Sequence, residues 1–156
     1  MSSLSKNEMI LALGRLVMRW QDAAQRYDEL VGTLWRLNPS ERLCLSFLMQ
    51  GAQTASAIAA ETRLTPAAVT ALIDRLEKRG FVRRRADPDD RRKVMVEAGE
   101  AAFALAADAY QPLQVAGAAM LARHSEADLA AFARVLADSI ALQDEMAKQL
   151  ASRQRP

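Results

Sequence analysis

Positively charged side chains crowd one short segment of this 156-residue chain. Within the segment RGFVRRRADPDDRRKVMVEAG, three consecutive cations precede an acidic, proline-containing tip and three follow it, namely Arg83, Arg84, Arg85, Arg91, Arg92 and Lys93. Nine lysines and arginines against four acids give residues 75–93 a local charge of +5, although the whole chain carries only +2. Because guanidinium groups bind phosphates through paired N–H donors, this pattern suits the recognition of an anionic, phosphate-bearing partner.

The sequence lacks the residue sets that catalysis or metal binding requires. A single cysteine, Cys44, and a single histidine, His124, exclude an intrachain disulfide and argue against a zinc site. No nucleophile stands with a base and no phosphate-binding loop is present, so we expect no enzyme, no cofactor and no metal. Cys44 lies in the apolar run LCLSFL, which predicts a small buried hydrophobic residue rather than a redox sensor.

The N-terminal thirty residues are apolar in part, but charged residues interrupt every run before the roughly 20 residues that a membrane span needs. No signal-peptide cleavage pattern follows a continuous apolar core. We therefore expect a cytoplasmic protein without a membrane partner.

Hydrophobic periodicity and capping residues predict the helices that precede the cationic segment. An apolar stripe from Leu13 to Leu34 recurs every three or four residues, which predicts a first helix of about thirty residues. Asn38 and Pro39 suit the cap and first turn of a second helix, and a short third helix is expected in TASAIAAET. The segment LTPAAVTALIDRLEKRG predicts a fourth helix that begins at a capping threonine and ends at Gly80 in the left-handed conformation.

Two strands are predicted next, FVRRRAD and RRKVMVEA, around a turn at PDD. A helix-turn-helix followed by a hairpin is a winged helix. Beyond Gly99 the chain is predicted to be helical again, with a kink at Pro112 and a last helix capped by Ser125. The fold class is therefore mainly α with a small β-hairpin wing.

We expect one domain over residues 1–156, a winged helix-turn-helix with long N- and C-terminal helices. Residues 37–99 would form the winged lobe. The apolar stripes of residues 1–36 and 100–150 are too long for a small core to cover, and a second copy of the chain is the natural cover. These segments are accordingly interpreted as dimerisation helices.

The fourth predicted helix presents a face of small side chains. Its inward face consists of Val69, Leu72, Ile73 and Leu76. Ala67 and Ala71 lie opposite, which would permit close approach to a major groove and methyl contacts with thymine, with Thr65 and Thr70 near phosphates. Alanine is also the strongest helix former, and the sequence does not separate these two interpretations.

The cationic hairpin likewise has two interpretations. Its arginines could lie along a DNA backbone, with one at the tip reaching into a narrow, A·T-rich minor groove and oriented there by a neighbouring acid. Alternatively the hairpin is solvated, and its charges only keep an edge strand from aggregating. The helix-turn-helix that precedes it favours the first interpretation.

The segments LNPSERLCLSFL and SAIAAETRLTPAAVTALIDRLEKRGFVRRRADPDDRRKVMV together resemble the MarR family of bacterial transcriptional regulators. The most specific part is the recognition helix running into the D-x-x-D-R-R tip. The resemblance implies a homodimer that binds an inverted-repeat operator in double-stranded DNA and usually represses genes near its own. It also implies that Arg92 enters the minor groove with Asp90 as its partner, whereas Ala71 departs from the arginine that the family often has there. The predicted DNA-binding residues are Thr65, Ala67, Ala68, Thr70, Arg75, Arg84, Arg85, Asp90, Arg91 and Arg92.

Regulators of this family commonly respond to small aromatic or lipophilic effectors, which the resemblance extends to this chain. The aromatic residues that could line such a site are Trp20, Tyr27, Trp35 and Phe47. Aromatics at helical spacing also serve as core or dimer interface. The predicted function is a dimeric, sequence-specific DNA-binding regulator, a repressor that a small ligand releases; the alternative is a winged-helix protein-protein interaction module without DNA binding.

Overall fold

A computed structural model describes residues 5–87 and 93–153 of the chain. It divides into two units, Met1–Ala109 and Tyr110–Pro156. The first unit begins with the long helix α1 (Lys6–Trp35), as the apolar stripe predicts. Helix α2 (Pro39–Leu48) follows after a turn of three residues. The predicted cap is confirmed, because the Asn38 side chain accepts from the Glu41 amide and the Glu41 carboxylate accepts from the Asn38 amide.

Helices α3 (Ala55–Thr62) and α4 (Pro66–Lys78) form the helix-turn-helix. The side chain of Thr65 caps α4 by accepting from the Ala68 amide, as predicted. Helix α4 ends in the predicted left-handed glycine, since Gly80 has φ +74°. The Phe81 amide donates to the Leu76 carbonyl at 2.9 Å across that turn, which is the hydrogen bond of a Schellman motif.

The wing strands are β2 (Val82–Ala86) and β3 (Val94–Ala98), which pair antiparallel with Arg84 opposite Val96. A third strand, β1 (Gln53–Thr54), was not predicted; it pairs with β3 and gives the sheet order β1-β3-β2. The predicted ascending strand begins later than expected, because Lys93 precedes β3 rather than opening it. The structure is mainly helical with a small antiparallel sheet, which confirms the predicted fold class.

The core of the first unit lies between the helix-turn-helix and the sheet. The inward face predicted for α4 is confirmed, since Val69, Leu72, Ile73 and Leu76 are at most 2% exposed. They are buried with side chains from the neighbouring elements, including Cys44, Leu48, Ile58, Val82 and Val96. The sheet and helix α3 thus pack against the apolar face of α4 and leave the opposite face open.

The chain continues from the sheet through helix α5 (Glu100–Leu105) into a π-helical turn, Ala106–Tyr110. This turn stands immediately before Pro112, where the sequence predicts a kink. Beyond it, the second unit consists of helices α6 (Gln111–Leu121) and α7 (Glu126–Ser152). Ser125 caps α7 as predicted, by accepting from the Asp128 amide.

Candidate nucleic-acid interface

The open face of α4 carries the small side chains that the sequence places there. Thr65, Ala67 and Thr70 are exposed and Ala68 is half-buried. The Thr70 hydroxyl donates to the Pro66 carbonyl at 3.0 Å and is thereby held against its own helix. The first two turns of α4 therefore form a shallow surface with few long side chains, against which a groove of duplex DNA fits closely.

Two arginines of β2 share one acid of β3. Arg83 Nε lies 2.6 Å from Glu97 Oε1, and Arg85 Nε lies 2.8 Å from Glu97 Oε2. The antiparallel register causes this arrangement, because Glu97 stands opposite Arg83 and one face of the hairpin carries all three side chains. The hydrogen bond from Arg85, together with the smaller effect of Arg83, lowers the pKa of the Glu97 carboxyl. Arg83 remains 73% exposed, so its outer N–H groups still face solvent.

Arg84 points to the other face of the hairpin and joins the wing to the recognition helix. Its Nη2 lies 2.5 Å from Asp74 Oδ1, and its Nη1 donates to Glu77. The Arg84 backbone amide also donates to Glu77 Oε1 at 3.0 Å. The hydrogen bond to Asp74, followed by the charge of Glu77, raises the pKa of the Arg84 guanidinium. The exposed Asp74 and the half-buried Glu77, on successive turns of α4, thus hold this strand in place.

Arg75 also has an acidic partner, but a buried one. Its Nε lies 3.2 Å from Glu41 Oε1, and the Glu41 side chain is only 6% exposed. The Arg75 side chain itself is 54% exposed, and no hydrogen bond joins its Nη atoms to another described residue. The Nη1 and Nη2 groups form the donor edge of the guanidinium, which could donate hydrogen bonds to O6 and N7 of a guanine.

Of the predicted set, the structure describes Thr65, Ala67, Ala68, Thr70 and Arg75 on α4, and Arg84 and Arg85 on opposite faces of β2. Asp90, Arg91 and Arg92 lie outside the described residues. Sequence reasoning missed the acids that hold the arginines, which are Glu41, Asp74, Glu77 and Glu97. The sequence gives no signal for these pairs. Glu77 meets Arg84 only after the wing folds against α4, and Glu41 lies 34 residues from Arg75 in the chain.

The four aromatic residues predicted for an effector site are spread along the first unit. Trp20 and Trp35 both belong to α1, and fifteen residues at 1.5 Å per residue place them about 22 Å apart along one helix. Trp20 is exposed, whereas Trp35 and Phe47 are half-buried. The Tyr27 hydroxyl donates to the Ala109 carbonyl in the π-helical turn. One chain does not bring Trp20 and Trp35 into the same cavity.

A shallow cleft lies where α1 ends and α2 begins. Its volume is about 590 Å³, and its lining residues include Gln25, Glu29, Arg36, Asn38 and Arg42. Gly32 forms part of its floor, and the Arg42 guanidinium packs where a β-carbon on Gly32 would stand. Arg36 and Arg42 could hold an acidic group of a ligand, and Glu29 and the apolar residues Leu37 and Pro39 also line the cleft.

Cys44 is a core residue, as predicted. It is 0% exposed, and burial followed by the nearby negative charge of Glu41 raises its pKa to about 12. A thiol that stays protonated far above neutral pH is a poor nucleophile. Among residues 5–87 and 93–153, no helix is long and apolar enough to cross a membrane, and no group of three metal-ligating side chains occurs.

Comparison with known proteins shows which proteins this chain is similar to. The model of the MarR family matches residues 37–94, the segment that runs from α2 into the start of β3. The HTH-type transcriptional regulator YcgE of Bacillus subtilis (strain 168) is 37% identical over 79 residues, which are 51% of this chain and 51% of that protein. The chain thus spans about half the length of the curated relative that it matches.

Solved structures extend the similarity over most of the chain. A MarR family protein from Bacillus stearothermophilus is 25% identical with a TM-score of 0.61, over 91% of this chain and 99% of that one. YusO from Bacillus subtilis is 22% identical with a TM-score of 0.58, over 88% and 98%. A variant of MepR from S. aureus, bound to an oligodeoxyribonucleotide, is 18% identical with a TM-score of 0.54, over 93% and 98%. At 22% and 18% identity, YusO and the MepR variant show only that the fold is shared.

Proposed function

We propose that this chain, whose residues 37–94 match the model of the MarR family, is a dimeric, sequence-specific DNA-binding transcriptional regulator, a repressor that a small ligand releases from its operator. Proteins of this family are transcriptional regulators and not enzymes, in agreement with the sequence prediction. The observation that carries the proposal is the open face of α4, a surface of small side chains with the arginines of β2 beside it. The protein would act in the cytoplasm, where its operator lies.

In this proposal the first turns of α4 enter the major groove. Ala67 and Ala68 approach the bases, and Thr65 and Thr70 lie near phosphates. Arg75 reads a guanine edge through its Nη atoms. The wing then follows the DNA backbone through Arg84, Arg85 and Arg91, while Arg92, oriented by Asp90, enters the minor groove where A·T-rich sequence narrows it.

The dimer is supported by apolar side chains that the chain leaves in water. Helix α1 exposes Leu13, Leu16 and Trp20 by more than half, and on α7 Phe132 and Ile140 are 52% and 54% exposed. Monomers rarely expose such long apolar stripes, and a second copy related by two-fold symmetry would bury them. Two recognition helices would then face half-sites one helical turn apart, about 34–36 Å.

The effector is supported by the cleft at the end of α1, whose volume falls within the usual range for small-molecule sites. Trp35 closes α1 beside this cleft, and the exposed Trp20 could contribute from the partner chain of the dimer. Tyr27 and Phe47 complete the aromatic set. A small aromatic acid would place its carboxylate against Arg36 and Arg42 of the cleft, whose lining residues do not include any of the four aromatic residues.

The proposal is tested by binding of the purified protein to duplexes taken from the DNA that flanks its own gene, selected for inverted repeats. We expect a dimer in sedimentation at micromolar concentration and a log–log dependence of affinity on salt with a slope of about −0.9 per phosphate contacted. Arg92→Ala should cost most affinity on A·T-rich flanks and little on G·C-rich flanks. A protein that binds neither operator nor random duplex at low salt would instead be a protein-protein interaction module.

A further inference from the structure

The C-terminal end of the recognition helix is joined by hydrogen bonds to the junction between α1 and α2. Arg75 reaches Glu41 in the first turn of α2, with Nε 3.2 Å from Oε1. Arg79, four residues later, donates through Nη1 to the Arg36 carbonyl at 2.9 Å and through Nη2 to the Trp35 carbonyl. Residues four apart lie on the same side of a helix, so both arginines reach back in the same direction.

The acceptor on α2, the Glu41 carboxylate, is held in place by contacts other than that with Arg75. Glu41 accepts from the Asn38 amide through Oε2 at 2.9 Å, and its own amide donates to Asn38 Oδ1 at 2.9 Å. The residue is 5% exposed, so the carboxylate cannot turn into solvent without breaking the cap of α2. A carboxylate fixed in this way leaves one oxygen, Oε1, at a defined position for Arg75.

The acceptors on α1 need the cation that Arg79 provides. Helix α1 has no basic residue in its last turn, although carbonyl groups at a helix C-terminus carry partial negative charge. Arg36, which ends the helix, has the left-handed φ of 52°, so the chain turns away and leaves the carbonyls of Trp35 and Arg36 without a next turn. The Arg79 guanidinium also stacks on the Phe81 ring, 4.8 Å from its centroid, which fixes its direction.

We propose that Glu41, Arg75 and Arg79 are positioning residues that fix the angle between α4 and α1, and thereby set the half-site spacing that the protein accepts. This inference rests on the proposed function, because the two recognition helices have a defined separation only in a dimer held through α1. Three hydrogen bonds, one from Arg75 in α4 and two from Arg79 at its C-cap, resist rotation of that helix about its core contacts. Without them α4 keeps its apolar face buried but can rock against α1.

The experiment measures affinity for a series of inverted repeats whose half-site spacing is increased or decreased by one base pair. Wild-type protein should bind the native spacing about tenfold more tightly than either neighbour, the usual loss for one defect in a site. Glu41→Gln keeps an acceptor for the Asn38 amide, since a capping box tolerates glutamine, but removes the charge that holds Arg75. Arg79→Lys keeps a cation and loses the fork that reaches two carbonyls.

Both variants should bind random DNA as wild type does, with the same salt slope, while their preference for the native spacing falls to about threefold or less. The matched control is Lys78→Gln, which removes a cation from the same turn of α4 that makes no ion pair with another described residue. We expect the control to keep the spacing preference. Thermal unfolding of each variant verifies that it is folded at the assay temperature.

The outcomes separate the inference from the function on which it rests. Wild-type spacing preference retained in both folded variants would overturn the positioning role and leave the DNA-binding function standing. A reduced salt slope in the Arg79→Lys protein would also overturn it, because Arg79 would then act through a phosphate contact. Failure of wild-type protein to bind any spacing would refute the proposed function, and the positioning role with it.

Discussion

Gly99 provides the sharpest test of how the wing is joined to the recognition helix. The residue is buried and has φ −96°, which any residue adopts, so its backbone alone does not require glycine. A β-carbon at this position would lie 2.4 Å from the carbonyl oxygen of Gly80, and 3.4 Å is the lower end of ordinary contact. The two backbone segments would have to separate by about 3.4 − 2.4 = 1.0 Å in Gly99→Ala.

The contact cannot relax easily, because hydrogen bonds hold both partners. The Gly99 amide donates to the Phe81 carbonyl at 2.8 Å, and the Gly80 carbonyl accepts from the Ala101 amide at 3.1 Å. Overpacking in a well-packed core costs about 1–3 kcal/mol, and a clash between two fixed backbones belongs at the upper end. We therefore expect Gly99→Ala to lower the free energy of unfolding by about 3 kcal/mol.

Urea unfolding followed by circular dichroism measures this loss at a single protein concentration, since the stability of the proposed dimer would depend on concentration. Gly80→Ala is the comparison: its β-carbon meets only the Ala101 β-carbon at 3.9 Å, so its cost is the left-handed backbone, about 1–2 kcal/mol. Gly117→Ala is the control, because nothing lies within 4 Å of the added carbon and alanine favours a helix by about 0.5–1 kcal/mol. A Gly99→Ala loss no larger than that of Gly80→Ala would refute the reasoning.

Two further predictions concern charge and thiol chemistry. Arg84→Ala should lower the free energy of unfolding by about 1 kcal/mol, the sum of two partly exposed ion pairs with Asp74 and Glu77. It should reduce the salt slope of DNA binding by less than one unit, because two carboxylates already share the charge of Arg84. A fall of a full unit in a salt titration would mean that Arg84 leaves both acids to bind a phosphate. Cys44 should react with a thiol reagent at pH 8 only as fast as the protein unfolds. Its pKa of about 12 in the folded protein lies above the ordinary value of 9.0. The contribution of the neutral thiol to the free energy of unfolding should therefore be complete below pH 9 and decline as the pH rises toward 12. Rapid stoichiometric labelling of native protein would contradict the burial.

Elements whose cause is local were predictable from the sequence. The caps at Asn38, Thr65 and Ser125 and the left-handed turn at Gly80 depend on residues within four positions of one another. The apolar face of α4 followed from helical periodicity in the same way. Strand β1 was missed because a two-residue segment, Gln53–Thr54, has no periodicity, and it becomes a strand only when β3 is beside it.

The side-chain pairs at the candidate interface could not be predicted, because they depend on packing. The alternation of β2 indicates which arginines share a face, but not that Glu97 bridges Arg83 and Arg85 until the register is known. The sequence showed a local excess of positive charge and suggested that each arginine was available to DNA. Folding places an acid beside each described arginine of β2, which changes how much of that charge an approaching phosphate encounters.

This pairing bears on how a weakly basic protein would distinguish its operator from other DNA. A phosphate that approaches Arg84 or Arg85 gains only the difference between its own attraction and that of the carboxylate already in place. Non-specific affinity, which comes almost entirely from phosphate contacts, is therefore lowered at every site along a duplex. Contacts that require the correct sequence, such as an Arg75 Nη edge on guanine, are lowered less, because Glu41 holds that guanidinium through Nε and leaves the reading edge in place. Since a regulator competes with a large excess of non-specific sites, weakening the phosphate contacts more than the base contacts raises the ratio on which operator occupancy depends.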